Sequence, residues 1–343
     1  MQPAEALHRI AFNLERDLAP SYRVKAFRNA ATVVAGLSDE QLQSLHQRHA
    51  LRTLAGVGEA TEKVIAEALD GQVPEYLAKL EAEVKPKPET GKALRQALRG
   101  DCHTHSLWSD GGSPIIDMAR AARQLGHQYM VLTDHSPRLT VANGLSPERL
   151  RAQFLEIDET NATLEKEAAE GSPPFRLLRG IEVDILDDGG LDQEDDLLAE
   201  LDVVVASVHS KLKMESALMT KRMIGAIENP QINILGHCTG RLIADKKRNP
   251  SSFDAKAVFA ACVENNVAVE INSRPERKDP PSALLQMAAD MGCTFVVDTD
   301  AHAPGQLDWQ WIGCERAELA GIEADRIKNT LELSEFLFWS ALH

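Results

Sequence analysis

DCHTHSLWSDGG, residues 101–112, sets two histidines two apart (His103 and His105) ahead of an aspartate (Asp110) and a glycine pair. Side chains alternate along a strand, so an HxH pair sends both imidazoles to one face. The Ser-Asp-Gly-Gly run then turns the chain into a loop. Further short apolar runs rich in β-branched residues follow, separated by helical segments such as PIIDMARAARQLG and PSALLQMAADMG. That alternation predicts βα units feeding a parallel sheet of seven strands. After the first run, the others end in Asp134-His135, Glu182-Val183-Asp184, His209, His237, Glu270-Ile271-Asn272 with Arg274 just beyond, and Asp300-Ala301-His302.

Barrels and open α/β sheets gather their chemistry at the carboxyl ends of parallel strands. A lone histidine there is ordinarily a hydrogen-bonded or solvated side chain. Five strand ends carrying histidine, with Glu182 on another, instead predict one shared mouth holding a multinuclear metal site. Imidazole suits borderline cations such as zinc, manganese and iron, and carboxylate oxygens can bridge two of them. Cations also offset the cost of burying imidazoles and carboxylates together. Asp134, Asp184 and Asn272 lie beside these donors and are expected to orient them. His8, His46, His49, His127 and His343 fall outside strand ends and receive no role.

Composition narrows the function classes. Of 343 residues, 43% are hydrophobic and 26% charged, the balance of a globular domain with a sizeable core. No apolar run approaches the roughly 20 residues of a membrane span, and the N-terminus reads as an amphipathic helix without a cleavable signal. The five cysteines are scattered with no CxxC spacing, which predicts a reducing, cytoplasmic setting and no disulfide framework. The net charge of −15 argues against a nucleic-acid partner on average, but residues 1–99 hold 14 basic against 13 acidic side chains. The acidity belongs to the remainder.

The segment EVKPKPETGKALRQALRG, residues 83–100, reads as a linker from its spaced prolines and mixed charge. It sets the expected division: a helical domain over 1–85, a linker over 86–99 and an α/β domain over 100–343. ALHRIAFNLERDL, YRVKAFRNAATVVAGL, SDEQLQSLHQ and ATEKVIAEALDG carry helical periodicity, and Ser38 with Gln41 matches a capping box.

DCHTHSLWSDG, TDHS, GIEVDIL, ASVHS, GHCTGR, EINSRP and DTDAH, in this order, resemble the PHP (polymerase and histidinol phosphatase) domain. The similarity is to the version at the C-terminus of bacterial and archaeal family X DNA polymerases, and it covers residues 100–343. The resemblance implies a distorted seven-stranded βα barrel, TIM-like in architecture, with up to three divalent metals. It implies that His103, His105, Glu182 and Asp300 hold one metal, and that Glu182 bridges to a second bound by His209 and His237. Asp110, His135 and His302 would hold the third. Cys238 stands where the family often has proline.

The first residues resemble the small helix-hairpin-helix domain of the same polymerases through YRVKAFRNAA and LAGVGEATEKVIAEAL. In such a turn Gly56 and Gly58 would free backbone N–H groups for a phosphate, with Arg23, Lys25 and Arg28 adding non-specific attraction to DNA. Val64 occupies the Schiff-base lysine position, with Lys63 one residue off and turned about 100° away on a helix, so lyase activity is not expected. No polymerase core separates the two regions, so nucleotide addition is not expected either.

Together these features predict a metal-dependent phosphoesterase acting as a 3′-5′ exonuclease or 3′-end processor in DNA repair. Glu182 would serve in catalysis, and Arg241 and Arg274 would hold phosphate oxygens bidentately. A small-molecule phosphatase resembling histidinol phosphatase keeps the chemistry and changes the substrate. A non-catalytic DNA-binding module would be expected to have lost donors, and none is missing.

Overall fold

A computed structural model describes residues 1–169, 171, 173–244 and 247–342; His343 lies outside them. The chain divides into two compact units, Met1–Lys87 and Pro88–His343.

The first unit is all-helical: α1 (Pro3–Arg16), α2 (Ser21–Ala35), α3 (Asp39–Gln47), α4 (Glu59–Leu69) and α5 (Glu75–Ala82). Leu7, Ile10, Phe27, Val64, Ile65 and Leu77 meet in its core. The Ser38–Gln41 capping box forms reciprocally and starts α3. The 54–58 turn closes through Val57 N–H to the Leu54 carbonyl at 3.1 Å, with Gly56 at φ +90°, a left-handed conformation that favours glycine. Within the stretch read as a linker, Lys92–Ala97 forms a helix, α6, belonging to the second unit. Leu94 and Leu98 are buried in the barrel's core and Gly91 N–H donates to Glu318 at 2.6 Å, so tertiary packing outweighs the local Pro and Gly signals.

The second unit is a ring of parallel strands in chain order: β1 (Gly100–Thr104), β2 (Tyr129–Leu132), β3 (Arg176–Asp184), β4 (Val203–Ser207), β5 (Ile234–Leu235), β6 (Ala268–Asn272) and β7 (Phe295–Asp298). The strands are buried on both faces, as parallel sheets covered by helices are. Helices α7 (Ile115–Gln124), α8 (Pro147–Glu167), α9 (Asp195–Leu198), α10 (Ser216–Ile227), α11 (Ala255–Glu264), α12 (Ser282–Asp290) and α13 (Gln310–Leu319) fill the connections. The β1–β7 seam is closed differently from the others. Besides a single bridge between Thr104 and Ala301, Asp298 accepts from Cys102 N–H at 2.8 Å and Asp101 accepts from Thr299 N–H at 3.3 Å.

Leu178, Val203, Val205, Ile234, Ala268 and Val296 share one interior cluster with Phe336 and Trp339 of α14 (Leu333–Ser340). On β3, Leu178 and Glu182 have the same parity, roughly 13 Å apart along the strand. Apolar packing therefore fills one part of the barrel and leaves its carboxyl end for polar groups.

Candidate metal centre

Glu182, 1% exposed near the end of β3, is the centre of the basin. Five imidazoles approach its two oxygens. His237 Nε2 is 2.8 Å and His209 Nε2 3.2 Å from Oε1; His135 Nδ1 is 2.9 Å, His103 Nε2 3.3 Å and His105 Nε2 3.6 Å from Oε2. At the other edge, Asp110 Oδ1 lies 3.3 Å from His302 Nε2 and 3.4 Å from His135 Nε2. Asp300 Oδ1 lies 3.4 Å from His105 Nε2. Asp300 has φ +54°, and this left-handed turn of the backbone starts the bend that carries His302 to the same basin. Gly236 is required beside His237, because a Cβ there would meet Ser207 Oγ at 2.3 Å.

Donor atoms within 4.8 Å of one another form three groups: His105, Asp110, His135 and His302; His103, His105 and Glu182; and His135, Glu182 and His209. These groups differ from the expected sets: Asp300 and His237 fall outside them, and His135, expected with Asp110 and His302 alone, also faces Glu182 through its other ring nitrogen. His105 likewise belongs to two groups.

The chemistry of the donor set fits divalent cations. Glu182 Oε1 and Oε2, His103 Nε2, both ring nitrogens of His105 and His209, and His237 Nδ1 are buried without a hydrogen-bond partner. Each such atom costs about 1–3 kcal/mol. Of these, the Glu182 oxygens and the Nε2 atoms of His103, His105 and His209 lie close to one another yet are not aligned for hydrogen bonding, the arrangement expected when lone pairs converge on shared points. Without cations, the carboxylates of the basin favour protons on some of its imidazoles and not on others. Burial lowers the His135 affinity for a proton, but Glu182 and Asp110 outweigh it and raise its pKa to about 10. Burial likewise opposes protonation of His103, and Glu182 and Glu270 raise it well above the usual value. His105 goes the other way, to about 3, through burial and the neighbouring His302 and His135. Burial opposes ionisation of Glu182, but the surrounding imidazoles, His209 and His103 foremost, hold it well below the usual carboxylate range.

The residues expected to orient the donors take different roles. Asp184 accepts from His209 N–H at 3.0 Å, with its Oδ1 3.4 Å from the ring Nδ1. Asn272 donates toward Glu270 at 3.3 Å and Asp300 at 3.4 Å. Asp134 holds the β1 loop instead, accepting from Ser106 N–H and Oγ–H and from Gln153 at 2.6–2.8 Å. Arg274 lies 3.6 Å from Asp300 and 3.4 Å from His302 Nδ1, at the basin's rim. Arg241 is committed elsewhere: its guanidinium donates to the carbonyls of Arg277 (2.9 Å) and Lys278. Cys238 faces Asp279 at 3.8 Å, and burial pushes its thiol up, keeping it neutral.

Sequence reading assigned no role to Glu270, Arg277 or Arg138. Glu270 is a charged residue inside a buried strand, a signal visible in VAVEIN. Arg277 Nε is 3.0 Å from Asp300 Oδ2 and shares a loop with Arg274. Arg138 stands 3.8 Å from both Asp184 and Asp187.

In the helical unit, Gly56 forms the turn, while Gly58 N–H is already bound to Thr61 Oγ1 at 2.9 Å. Arg28 pairs with buried Glu15 at 2.7 Å and Arg23 donates to Tyr76 Oη, whereas Lys25 is exposed. Lys63 is held by Glu75 at 2.5 Å, which raises its pKa, opposite to the needs of a nucleophilic amine, and Val64 is buried. All five cysteines are free and buried. Among the described residues no helix is long and apolar enough to cross a membrane.

Comparison with known proteins gives a match to the PHP domain over residues 101–274. The chain is 40% identical over 238 residues to the DNA polymerase/3′-5′ exonuclease PolX of Bacillus subtilis, covering 69% of this chain and 40% of that protein. It is 30% identical over 242 residues to a "Probable phosphatase" of Thermoanaerobacter sp., covering 67% of this chain and 89% of that protein. Among solved structures, histidinol phosphate phosphatase from Lactococcus lactis, complexed with zinc, L-histidinol and phosphate, is similar at 19% identity and a TM-score of 0.45. That similarity covers 66% of this chain and 94% of that one.

Proposed function

The chain belongs to the PHP domain family, and from that premise we propose that it is a metal-dependent phosphoesterase cleaving phosphodiester bonds at DNA 3′ ends. The carrying observation is that five imidazoles lie within 3.6 Å of one buried carboxylate, Glu182. His103, His105, Glu182 and Asp300 would hold one cation, and Glu182, His209 and His237 a second. Asp110, His135 and His302 would hold a third, with His105 and His135 near enough to be shared. Zinc, manganese and iron all suit such nitrogen and oxygen donors. Bound cations supply Lewis-acid stabilisation of phosphoryl oxygens and a nucleophilic water.

The chain's own residues position the reaction. Glu182 holds the imidazoles about one negative centre, and burial shields His103, His105, His237 and Glu182 itself from bulk water while Asp110 stays exposed at the edge. Arg274 engages a phosphoryl oxygen from the rim. Arg241 acts through the loop, fixing the carbonyls of Arg277 and Lys278 so that Arg274 and Arg277 approach Asp300.

The DNA substrate is supported by the identity to PolX, although the chain spans only 40% of that protein's length. The exposed Lys25 and the Gly56 turn of the helical unit add a modest backbone-binding element. Five buried free thiols support a reducing, cytoplasmic setting. A second reading, a phosphatase acting on small molecules, is favoured by the match spanning 89% of the Thermoanaerobacter probable phosphatase.

End-labelled oligonucleotides, 3′-phosphorylated ends and small phosphomonoesters, each with Mn²⁺ or Zn²⁺ and a His103→Ala control, test the proposal. Shortening from the 3′ end is expected. Faster turnover of a small monoester than of any oligonucleotide would favour the second reading, and inertness toward every ester with every metal would overturn both.

A further inference from the structure

We infer that Glu270 is a positioning residue for the metal centre, fixing the tautomer of His103 and the backbone of His237 together. The inference rests on the metal-centre reading. Glu270 sits inside β6 with no solvent exposure. Its Oε1 lies 2.7 Å from His103 Nδ1, and its Oε2 accepts from His237 N–H at 2.5 Å. A carboxylate at Nδ1 makes that atom the N–H donor and leaves the Nε2 lone pair toward Glu182, 3.3 Å away.

Among the described residues, no other imidazole of the basin hydrogen-bonds a carboxylate through the ring nitrogen that points away from the donors. His209 Nδ1 reaches Asp184 only at 3.4 Å without a hydrogen bond, His302 Nδ1 meets the Asp300 carbonyl at 2.9 Å, and the Nδ1 atoms of His105 and His237 have no partner. Asn272 Nδ2 extends the contact, lying 3.3 Å from Glu270 and 3.4 Å from Asp300. One buried side chain thus ties donors from β1 and from the loop after β5, and through Asn272 one from the loop after β7. Among the described residues, no hydrogen bond or ion pair joins Glu270 to Asp110, His135 or His302, so its direct contacts lie on one side of the basin.

A partner of this kind raises the basicity of the ligand and holds its ring, and its loss typically costs about 10–100-fold in metal affinity. Gln at this position keeps the shape but has one acceptor oxygen for the two donors. The test titrates Zn²⁺ into metal-free full-length wild type, Glu270→Gln and Glu270→Asp against a chromogenic chelator. His103→Ala and Asp110→Asn mark the two sides of the basin, and Co²⁺ absorption reports ligand geometry. In Glu270→Gln, the affinity class sensitive to His103→Ala is expected to weaken about 10–100-fold with an altered Co²⁺ spectrum. The class sensitive to Asp110→Asn should be unchanged, and Glu270→Asp should recover part of the loss. Unchanged affinity throughout, or equal weakening of both classes, would overturn the inference. Should Glu270→Gln not fold, Glu270→Asp decides alone: selective weakening supports the role and uniform or absent weakening overturns it. A wild type that binds no Zn²⁺ at all would instead overturn the metal-centre reading itself.

Discussion

His237 Nε2 lies 2.8 Å from Glu182 Oε1, joining the loop after β5 to a strand two places away in the barrel. Glu182→Gln preserves volume and removes the charge on which five imidazoles converge. Metal content should fall below that of wild type, and phosphoester turnover should drop on the order of 100-fold or more. Elemental analysis beside a hydrolysis assay measures both; full metal content with unchanged turnover would refute the central role of this carboxylate.

Metal loading should release protons. With its pKa raised to about 10, His135 is protonated in the metal-free protein at pH 8, and a cation must displace that proton. His105, lowered to about 3, contributes none. Apparent affinity should therefore strengthen as pH rises toward 10. The same shift has the opposite sign for folding without metal: its stabilisation is complete below the unfolded value near 6.5 and is lost as pH rises through about 10. Calorimetry of Zn²⁺ binding in two buffers of different ionisation enthalpy checks the release; identical heats would contradict it.

His127, just before β2 and outside the basin, should make the fold sensitive to acid. Both ring nitrogens are buried without hydrogen-bond partners, and burial, followed by repulsion from Arg95, lowers its pKa to about 3. The unfolded chain therefore binds a proton that the folded chain refuses between about 6.5 and 3, and stability falls as pH drops through that window. From pH 7 to pH 4.5 this group should cost about 2–3 kcal/mol. Urea unfolding of His127→Leu should show a correspondingly smaller acid loss than wild type; equal losses would remove His127 as the cause.

Arg241 and Arg274 should separate experimentally. Arg241→Ala removes hydrogen bonds to two loop carbonyls and should cost about 1–3 kcal/mol of stability. Arg274→Ala should leave the melting temperature within a few degrees and weaken inhibition by inorganic phosphate about tenfold or more. Thermal denaturation and phosphate inhibition of both variants decide, and a phosphate defect greater in Arg241→Ala would reverse the assignment.

The strand-end donors were readable because each βα unit ends its strand at the same mouth, so chain position alone brings His103, His105, His135, Glu182, His209, His237, Asp300 and His302 together. Sharing among them was not readable. Whether His135 faces Asp110, Glu182 or both depends on ring rotation and distances of a few ångströms, which spacing along a chain does not encode. The arginines show the same limit. Arg28 and Lys25 look equally available in YRVKAFRNAA, yet Arg28 is drawn to Glu15 on α1 while Lys25 stays exposed. KPKPETG masks α6 because local turn signals dominate until Leu94 and Leu98 find the barrel's core.

The sequence by itself determined the order of the seven strands, the end of the sheet where the donors lie and the kinds of atom they offer. These follow from hydrophobic period and strand polarity, which are properties of neighbours along the chain. Tertiary structure alone decided that His135 and His105 also reach Glu182, that Glu270 lies 2.7 Å from His103 Nδ1 and that Arg241 is spent on its own loop. Those outcomes depend on short-range contacts between residues far apart in sequence, where a shift of one ångström makes or breaks a hydrogen bond.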